Sequence, residues 1–277
     1  MMNMMRRISG GIGVRALKNA RHAAAWLCGF GTLVVLVIPA GGGGPMSVAQ
    51  VRAMLAAASS DRPANFARAN LANLDLKGLD FKGADLSRAN LFGAELDGAN
   101  LAHSNLVKAN LDRAHMVGAR LNGARLRGAS LFLTVMADAD MSKADLRSVV
   151  AILIAPRVIL TGADLAGAKL ANDQSNQMMV ELRTEFDGGD LTGANLEGVN
   201  LSEAKLDSAK LIDASLRNAQ MSWAELGAAD LTRADVTGLD LSNADIWGAK
   251  FICVKGADTI RGLKSARNSS SAIFRCP

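Results

Sequence analysis

Every fifth residue from Phe66 to Leu146 is Leu, Phe or Met, an unbroken series of 17 positions, and 13 of them have Ala two residues earlier. The series resumes from Phe186 to Phe251 over 14 positions filled by Leu, Phe, Met, Val or Ile, ten of them with Ala two before. A helix repeats its apolar positions at three and four and a strand at two, so a period of five is neither as a continuous element. Each five-residue unit carries one bulky apolar residue and, in most units, one small one. Between the two usually stands Asp or Asn, as in "ADL" and "ANL", residue types that favour turns.

This tandem A(D/N)LXX pattern, spread over roughly 64–253, resembles the pentapeptide-repeat family. The resemblance implies an all-β fold, a right-handed quadrilateral β-helix with one pentapeptide per side and four sides, or twenty residues, per coil. Residues twenty apart then stack as in a parallel sheet, and the charges bear this out. One series reads Asp80, Asn100, Arg120, Asp140 and its neighbour Asp85, Asn105, Arg125, Asp145. Later series read Glu185, Lys205, Glu225, Asp245 and Asp190, Lys210, Asp230, Lys250. Each base has acidic or neutral neighbours, the favourable arrangement across a ladder. Asn70, Asn90, Asn110 and Ser130 form a polar series. Leu74, Leu79 and Leu239 replace the small residue, so packing loosens there. Such repeats bury their apolar face only against their neighbours, so both ends need caps.

The pattern falters at 147–185. Leu165 comes one residue sooner after Leu146 than four pentapeptides would place it, and Phe186 comes one residue later after Leu170 than three would. A one-residue deletion and a one-residue insertion cancel in this reading, leaving two whole coils between Leu146 and Phe186. It predicts one continuous solenoid of roughly nine coils, with a bulge or short loop near 171–184. Pro156 belongs at a corner or edge.

Four segments follow: 1–45, an export signal or membrane anchor with a Gly-rich exit; 46–63, a capping helix and linker; 64–253, the repeats; and 254–277, a C-terminal tail. Residues 1–22 carry Arg6, Arg7, Arg15, Lys18 and Arg21, and 23–40 is a continuous uncharged run. This is the build of a cleaved signal or of an anchor through 23–40. Translation from Met46 would instead make the protein cytoplasmic. Ser47 with Gln50 three residues on is a capping box, predicting a short N-terminal capping helix over 47–58.

Composition narrows the function. The chain is 49% hydrophobic with 4% aromatics and no Tyr, so the core is built from small and medium aliphatics. Of the +5 net charge, residues 1–60 supply six bases and no acids, leaving 25 bases against 26 acids in 61–277. A nearly neutral body gives no expectation of nucleic-acid binding. No phosphate loop, zinc spacing or nucleophile elbow is present, so no catalytic residue, cofactor or metal is expected. His103 and His115 lie out of phase with each other and read as solvated corner residues. The basic run Lys108, Arg113, Arg120, Arg125, Arg127 is a candidate anion-facing patch. Asp140 and Asp145 one coil on from Arg120 and Arg125 favour a structural role instead. Cys253 and Cys276 bracket the tail, and in an exported protein a disulfide would pin it over the last coil. The reading is a non-catalytic module for an unidentified protein partner, exported or tethered. The resemblance also permits a cytoplasmic DNA-mimicking protein that binds a type II topoisomerase, which the neutral body and the leader count against.

Overall fold

The computed structural model describes residues 44–171 and 182–276. The proposed signal or anchor at 23–40 therefore lies outside the described residues. Among them, no helix is long and apolar enough to cross a membrane.

Each pentapeptide forms one side of a four-sided β-helix, as the unit at 84–89 illustrates. Ala84 and Leu86 point inward and are buried, while Asp85 between them points outward. The Leu86 N–H donates to the Asn105 carbonyl at 2.8 Å, and the Asn105 N–H donates back to the Ala84 carbonyl at 2.9 Å. This is the parallel ladder that joins one coil to the next. Ser87 and Arg88 then turn the chain, closed by Ala89 N–H to Leu86 C=O at 3.0 Å. One residue per turn has φ near +60°, two positions after the bulky one: Gly83, Arg88, Gly93 and onward. A single left-handed residue in third place fits a type II turn, where glycine is favoured.

Four ladders of outward residues result. Ladder A runs through Glu95, His115 and Val135 to Lys205, Glu225 and Asp245. Ladder B holds Asn100, Arg120, Asp140, then Lys210, Asp230, Lys250. Ladder C holds Asn105, Arg125, Asp145 and later Ser215, Asp235, Lys255. Ladder D holds Asn70, Asn90, Asn110, Ser130 and later Gln220 and Asp240. All the twenty-residue series expected from the charges are present.

The irregular region differs from the sequence reading. Strands β1 (Ser130–Val135) and β2 (Val150–Ile154) pair in parallel, and the shift between Phe132 and Thr134 leaves Leu133 as a bulge opposite a side one residue short. That accounts for the shortened coil, seen as Asp145 opposite Asp164. The next coil is lengthened. It pairs Ile154 with Glu185 and Asp164 with Asn195, a separation of 31 in place of 20. The insertion is therefore of eleven and not of one. Its centre, 172–181, falls outside the described residues. A deletion of one and an insertion of eleven leave a net gain of two pentapeptides. The five-residue phase is thereby restored, but every later residue moves on by two sides. Phe186 accordingly follows Glu185 on ladder A, whereas Leu146 follows Asp145 on ladder C. The two do not share a column, and the interval between them is not two whole coils. Pro156 precedes the left-handed Arg157 in a turn, at a corner as expected.

Both ends are covered. At the N-terminal end, helix α1 (Val48–Ala56) has its capping box formed, Gln50 N–H to Ser47 Oγ at 3.2 Å and Ser47 N–H to Gln50 Oε1 at 2.8 Å. It buries Val51 on the core, and Met46 N–H donates to Asn70 C=O. Phe66 and Phe81 meet edge to face at 5.6 Å in the first coil. At the other end the ladders run on past residue 253. Lys255, Arg261, Arg267 and Ile273 pair with Asp235, Asp240, Asp245 and Lys250, six residues per side instead of five. Strand β4 (Ile273–Arg275) lies parallel to β3 (Lys250–Ile252), with Phe274 stacked on Phe251 at 4.5 Å. Cys253 and Cys276 are joined by a disulfide across this final coil. At its second corner a Cβ on Gly262 would collide with the Ser242 backbone, so only glycine fits.

Among the described residues, three polar side chains occupy the inward position usually held by Ala. Thr134 Oγ1 donates to Leu111 C=O at 2.9 Å. Thr184 Oγ1 donates to Leu170 C=O at 2.6 Å and accepts Leu153 N–H at 3.3 Å. Ser104 Oγ is fully buried and, among the described residues, has no partner. A buried hydroxyl without a hydrogen bond costs about 1 kcal/mol or more. Ser104→Ala is expected to stabilise the protein by about 1 kcal/mol, raising Tm by roughly 2–4 °C. Thr184→Ala is expected to lower stability by about 1–3 kcal/mol. Parallel thermal melts of the two variants check this.

Candidate binding faces

The abundant Asp and Asn residues are consumed by the fold. In unit after unit the outward Oδ1 accepts the backbone N–H two residues on: Ser87 N–H to Asp85 at 3.0 Å, Ser142 N–H to Asp140 at 3.0 Å, Thr192 N–H to Asp190 at 3.1 Å. The side chain thus begins each turn, and this is why Asp or Asn recurs there. Where Ser or Thr stands two residues on, its hydroxyl can donate as well, as from Thr237 to Asp235 at 2.6 Å and from Ser242 to Asp240 at 2.7 Å. Asn90 and Asn105 also bridge coils through Nδ2, to Asn70 at 3.2 Å and Asp85 at 2.9 Å.

These bonds set the ionisation of the outer carboxylates. Burial alone would push Asp235 up. The Thr237 hydroxyl, the Lys255 ammonium at 3.0 Å, the Thr237 N–H and the Arg217 guanidinium at 3.2 Å outweigh it and hold the carboxyl well below the ordinary range. Asp190, Asp230 and Asp240 are lowered in the same way, hydrogen bonds overcoming burial. Asp187 moves up, through burial and the stacked Asp207 carboxylate.

Most cations of the C-terminal half are neutralised one coil away. Lys205 meets Glu185 at 2.9 Å, Lys250 meets Asp230 at 3.4 Å and Arg233 meets Asp213 at 2.6 Å. The run singled out in the sequence does not form one patch. Arg120 and Arg125 stand mid-face on ladders B and C, Lys108 and Arg127 share the corner between C and D, and Arg113 lies over the Phe92 ring at 5.8 Å on the next corner. Arg120 and Arg125 do stack under Asp140 and Asp145, but Asp145 forms its ion pair with Arg147, at 2.6 Å. His115 lies in ladder A between Glu95 and Val135, while His103 is a left-handed corner residue against Gly123. The two histidines are not brought together.

Face A near the C-terminal end has features that the sequence reading missed. Trp223 and Trp247, both outside the core, are 55% and 61% exposed at opposite edges of adjacent coils. Against Trp247 lies a shallow recess of about 350 Å³ lined also by Asp207, Glu225, Gly227, Asp245, Arg267 and Asn268. Glu225 is held by Arg183 at 2.6 Å, and Asp245 accepts Asn268 Nδ2 at 2.9 Å and 3.0 Å. Asp207 accepts the Gly227 N–H at 2.7 Å, and a Cβ on Gly227 would press on that carboxylate at 2.8 Å. The findable signal was two tryptophans at non-core positions of a chain whose aromatic content is so low.

A family model described as pentapeptide repeats matches residues 64–101, 94–131, 184–226 and 219–252, in 8 copies. Among solved structures, the chain is 31% identical to a pentapeptide repeat protein of the Arabidopsis thaliana thylakoid lumen, covering 39% of this chain and 68% of that one, TM-score 0.33. It is 28% identical to HetL, a pentapeptide repeat protein involved in heterocyst differentiation regulation in the cyanobacterium Nostoc, covering 83% of this chain and 100% of that one, TM-score 0.38. It is 19% identical to QnrB1, a plasmid-mediated fluoroquinolone resistance protein, covering 66% and 89%, TM-score 0.37. No curated protein matches the chain.

The lowered Asp235 contributes stability that is fully present above its unfolded-state pKa of about 3.9 and is lost as pH falls below that value. Asp235→Asn keeps an Oδ1 acceptor for Thr237 but loses the ion pairs, so its stability is expected to fall less steeply below pH about 4. Asp235→Ala loses the turn bonds as well and is expected to cost roughly 1–2 kcal/mol at neutral pH. Urea unfolding of both variants as a function of pH checks the pair.

Proposed function

The chain belongs to the pentapeptide-repeat family, and from that premise we propose that it is a non-catalytic scaffold that binds a protein partner and is exported or membrane-tethered. One observation carries the binding reading: Trp223 and Trp247 stand exposed on face A although the core is built from Leu, Ala and Phe. Tryptophan at an exposed, partly concave site is the residue type that most often anchors a protein interface. The outer carboxylates support the non-catalytic part, because their oxygens are engaged in turns and coil-to-coil bonds instead of converging on a reaction centre. The Cys253–Cys276 bridge supports export, since such bonds persist in oxidising compartments. The alternative reading, a DNA-mimicking partner of a type II topoisomerase, needs a strong negative field, and the cations interleaved among the acids work against one.

A photo-crosslinking amino acid in place of Trp223 or Trp247 is expected to give a discrete protein adduct in cells, recovered from the envelope or the medium. The same amino acid in place of Thr192 on face B is expected to give none. Equal labelling at all three positions, or recovery only in the cytoplasm joined to a topoisomerase, contradicts the reading.

A further inference from the structure

The corner between ladders C and D carries a row of cations that no single stretch of sequence displays. Coil by coil it presents Arg68, Arg88, Lys108, Arg127 and Arg147, all exposed. The stacking is fixed by the backbone: Arg68 N–H donates to Ser87 C=O, Arg88 to Val107, Lys108 to Arg127 and Gly128 to Arg147. At a strand spacing of ~4.8 Å, five such charges span roughly 19 Å. Among the described residues, Arg68, Arg88, Lys108 and Arg127 form no ion pair, whereas Arg147 is held by Asp145. Like charges stacked on neighbouring coils repel, and most cations of the C-terminal half are instead relieved by an acid one coil away. Arg68, Arg88 and Lys108 also sit at φ values of 61°, 57° and 58°, in corners that favour glycine.

The face beside this corner completes a binding surface. Ladder D is uncharged from Asn70 through Asn90, Asn110 and Ser130 to Val150. The far corner exposes Phe92 and Phe132, each 37% accessible, with Val150 at 54% on the ladder. Asp112, an acid on that corner, is engaged by the Phe132 N–H at 2.8 Å and by Ser130 Oγ at 2.5 Å. A flat strip one pentapeptide wide therefore has a cationic edge, an amide-rich middle and an aromatic edge on which Arg113 lies over the Phe92 ring at 5.8 Å, leaving Phe132 and Val150 as its open apolar part.

We propose that this strip binds an extended protein segment in which acidic and apolar residues alternate. An extended chain turns successive side chains to opposite sides, so carboxylates meet the Arg/Lys edge while apolar groups meet Phe132 and Val150. At ~3.3 Å per residue, about six residues match the length of the cationic row. From the functional reading comes only the class of partner, a protein; Trp223 shares the corner between ladders D and A with Phe92 and Phe132 but stands four coils beyond Phe132, and Trp247 lies on the corner between A and B.

The probe is a fluorescein-labelled peptide of about eight residues alternating glutamate and valine, titrated by fluorescence anisotropy against the folded chain at low salt. The expected result is saturable binding that weakens with salt and falls about tenfold or more in the Arg88→Glu/Lys108→Glu variant. The neutral variant Arg88→Gln/Lys108→Gln, which avoids placing new acids on the corner, is expected to lie between the two. The Trp223→Ala/Trp247→Ala variant is expected to bind as the parent does, so the two surfaces are tested separately. Absence of binding at low salt, equal affinity for a peptide with its glutamates and valines in separate blocks, or unchanged affinity in both charge variants overturns the proposal. Tighter binding to a single-stranded oligonucleotide or to phosphatidylglycerol vesicles in the same assay also overturns it.

Discussion

The structure depends on one interaction, the pair of backbone hydrogen bonds that ties each side of a coil to the side one coil on. Leu86 N–H to Asn105 C=O and Asn105 N–H to Ala84 C=O show its form. Because the bonds are made by main chain, they hold whichever side chains point outward. The inward pair is constrained instead: Ala where walls come close, Leu or Phe to fill the middle. With no neighbour beyond the last coil, each end must be closed by something else. Helix α1 with the Phe66–Phe81 pair closes one end, and the six-residue sides of 255–275 with the Cys253–Cys276 bridge close the other.

That division of labour places chemistry on the outside and sorts it by face. Asp and Asn at the outer position are first of all turn formers, and the Thr237–Asp235 and Ser242–Asp240 contacts leave those carboxylates little capacity for other work. Distinctive surface character comes from residues the fold does not need: the indoles of Trp223 and Trp247, the stacked cations of the C–D corner, the Phe92 and Phe132 rings. The indoles lie toward the C-terminal end, and the cations and rings flank one face toward the N-terminal end.

The core was legible because Leu and Ala recur at fixed positions, and the twenty-residue series was legible because charge alternates along it. Residues 254–276 were not legible as a coil, since their sides are six residues long and lack the Ala-X-Leu signature. The size of the insertion was hidden for a different reason. A loss of one residue and a gain of eleven restore the five-residue phase, so local pattern cannot distinguish this from a gain of one. Yet the difference decides which residues share a face, bringing Glu225 and Trp247 in line with Glu95 instead of with Arg125. The C–D cations were missed because the columns were followed only through the Asp/Asn position and not through the corners. Arg120 and Arg125 were correctly placed in their columns, but stacking under an acid did not by itself produce an ion pair.

Coil stacking is continuous through the interruption, with a displacement of two sides. It is tested most directly by oxidative crosslinking of engineered cysteine pairs, read by mass spectrometry. Lys169 stands opposite Asn200 on ladder D, and Asp190 stands on ladder B. Adjacent parallel strands bring such pairs within disulfide reach. Lys169→Cys/Asn200→Cys is therefore expected to crosslink under mild oxidation, and Lys169→Cys/Asp190→Cys is expected not to. The reverse outcome would mean two whole coils between Leu146 and Phe186 and would contradict the assignment of every face beyond residue 185.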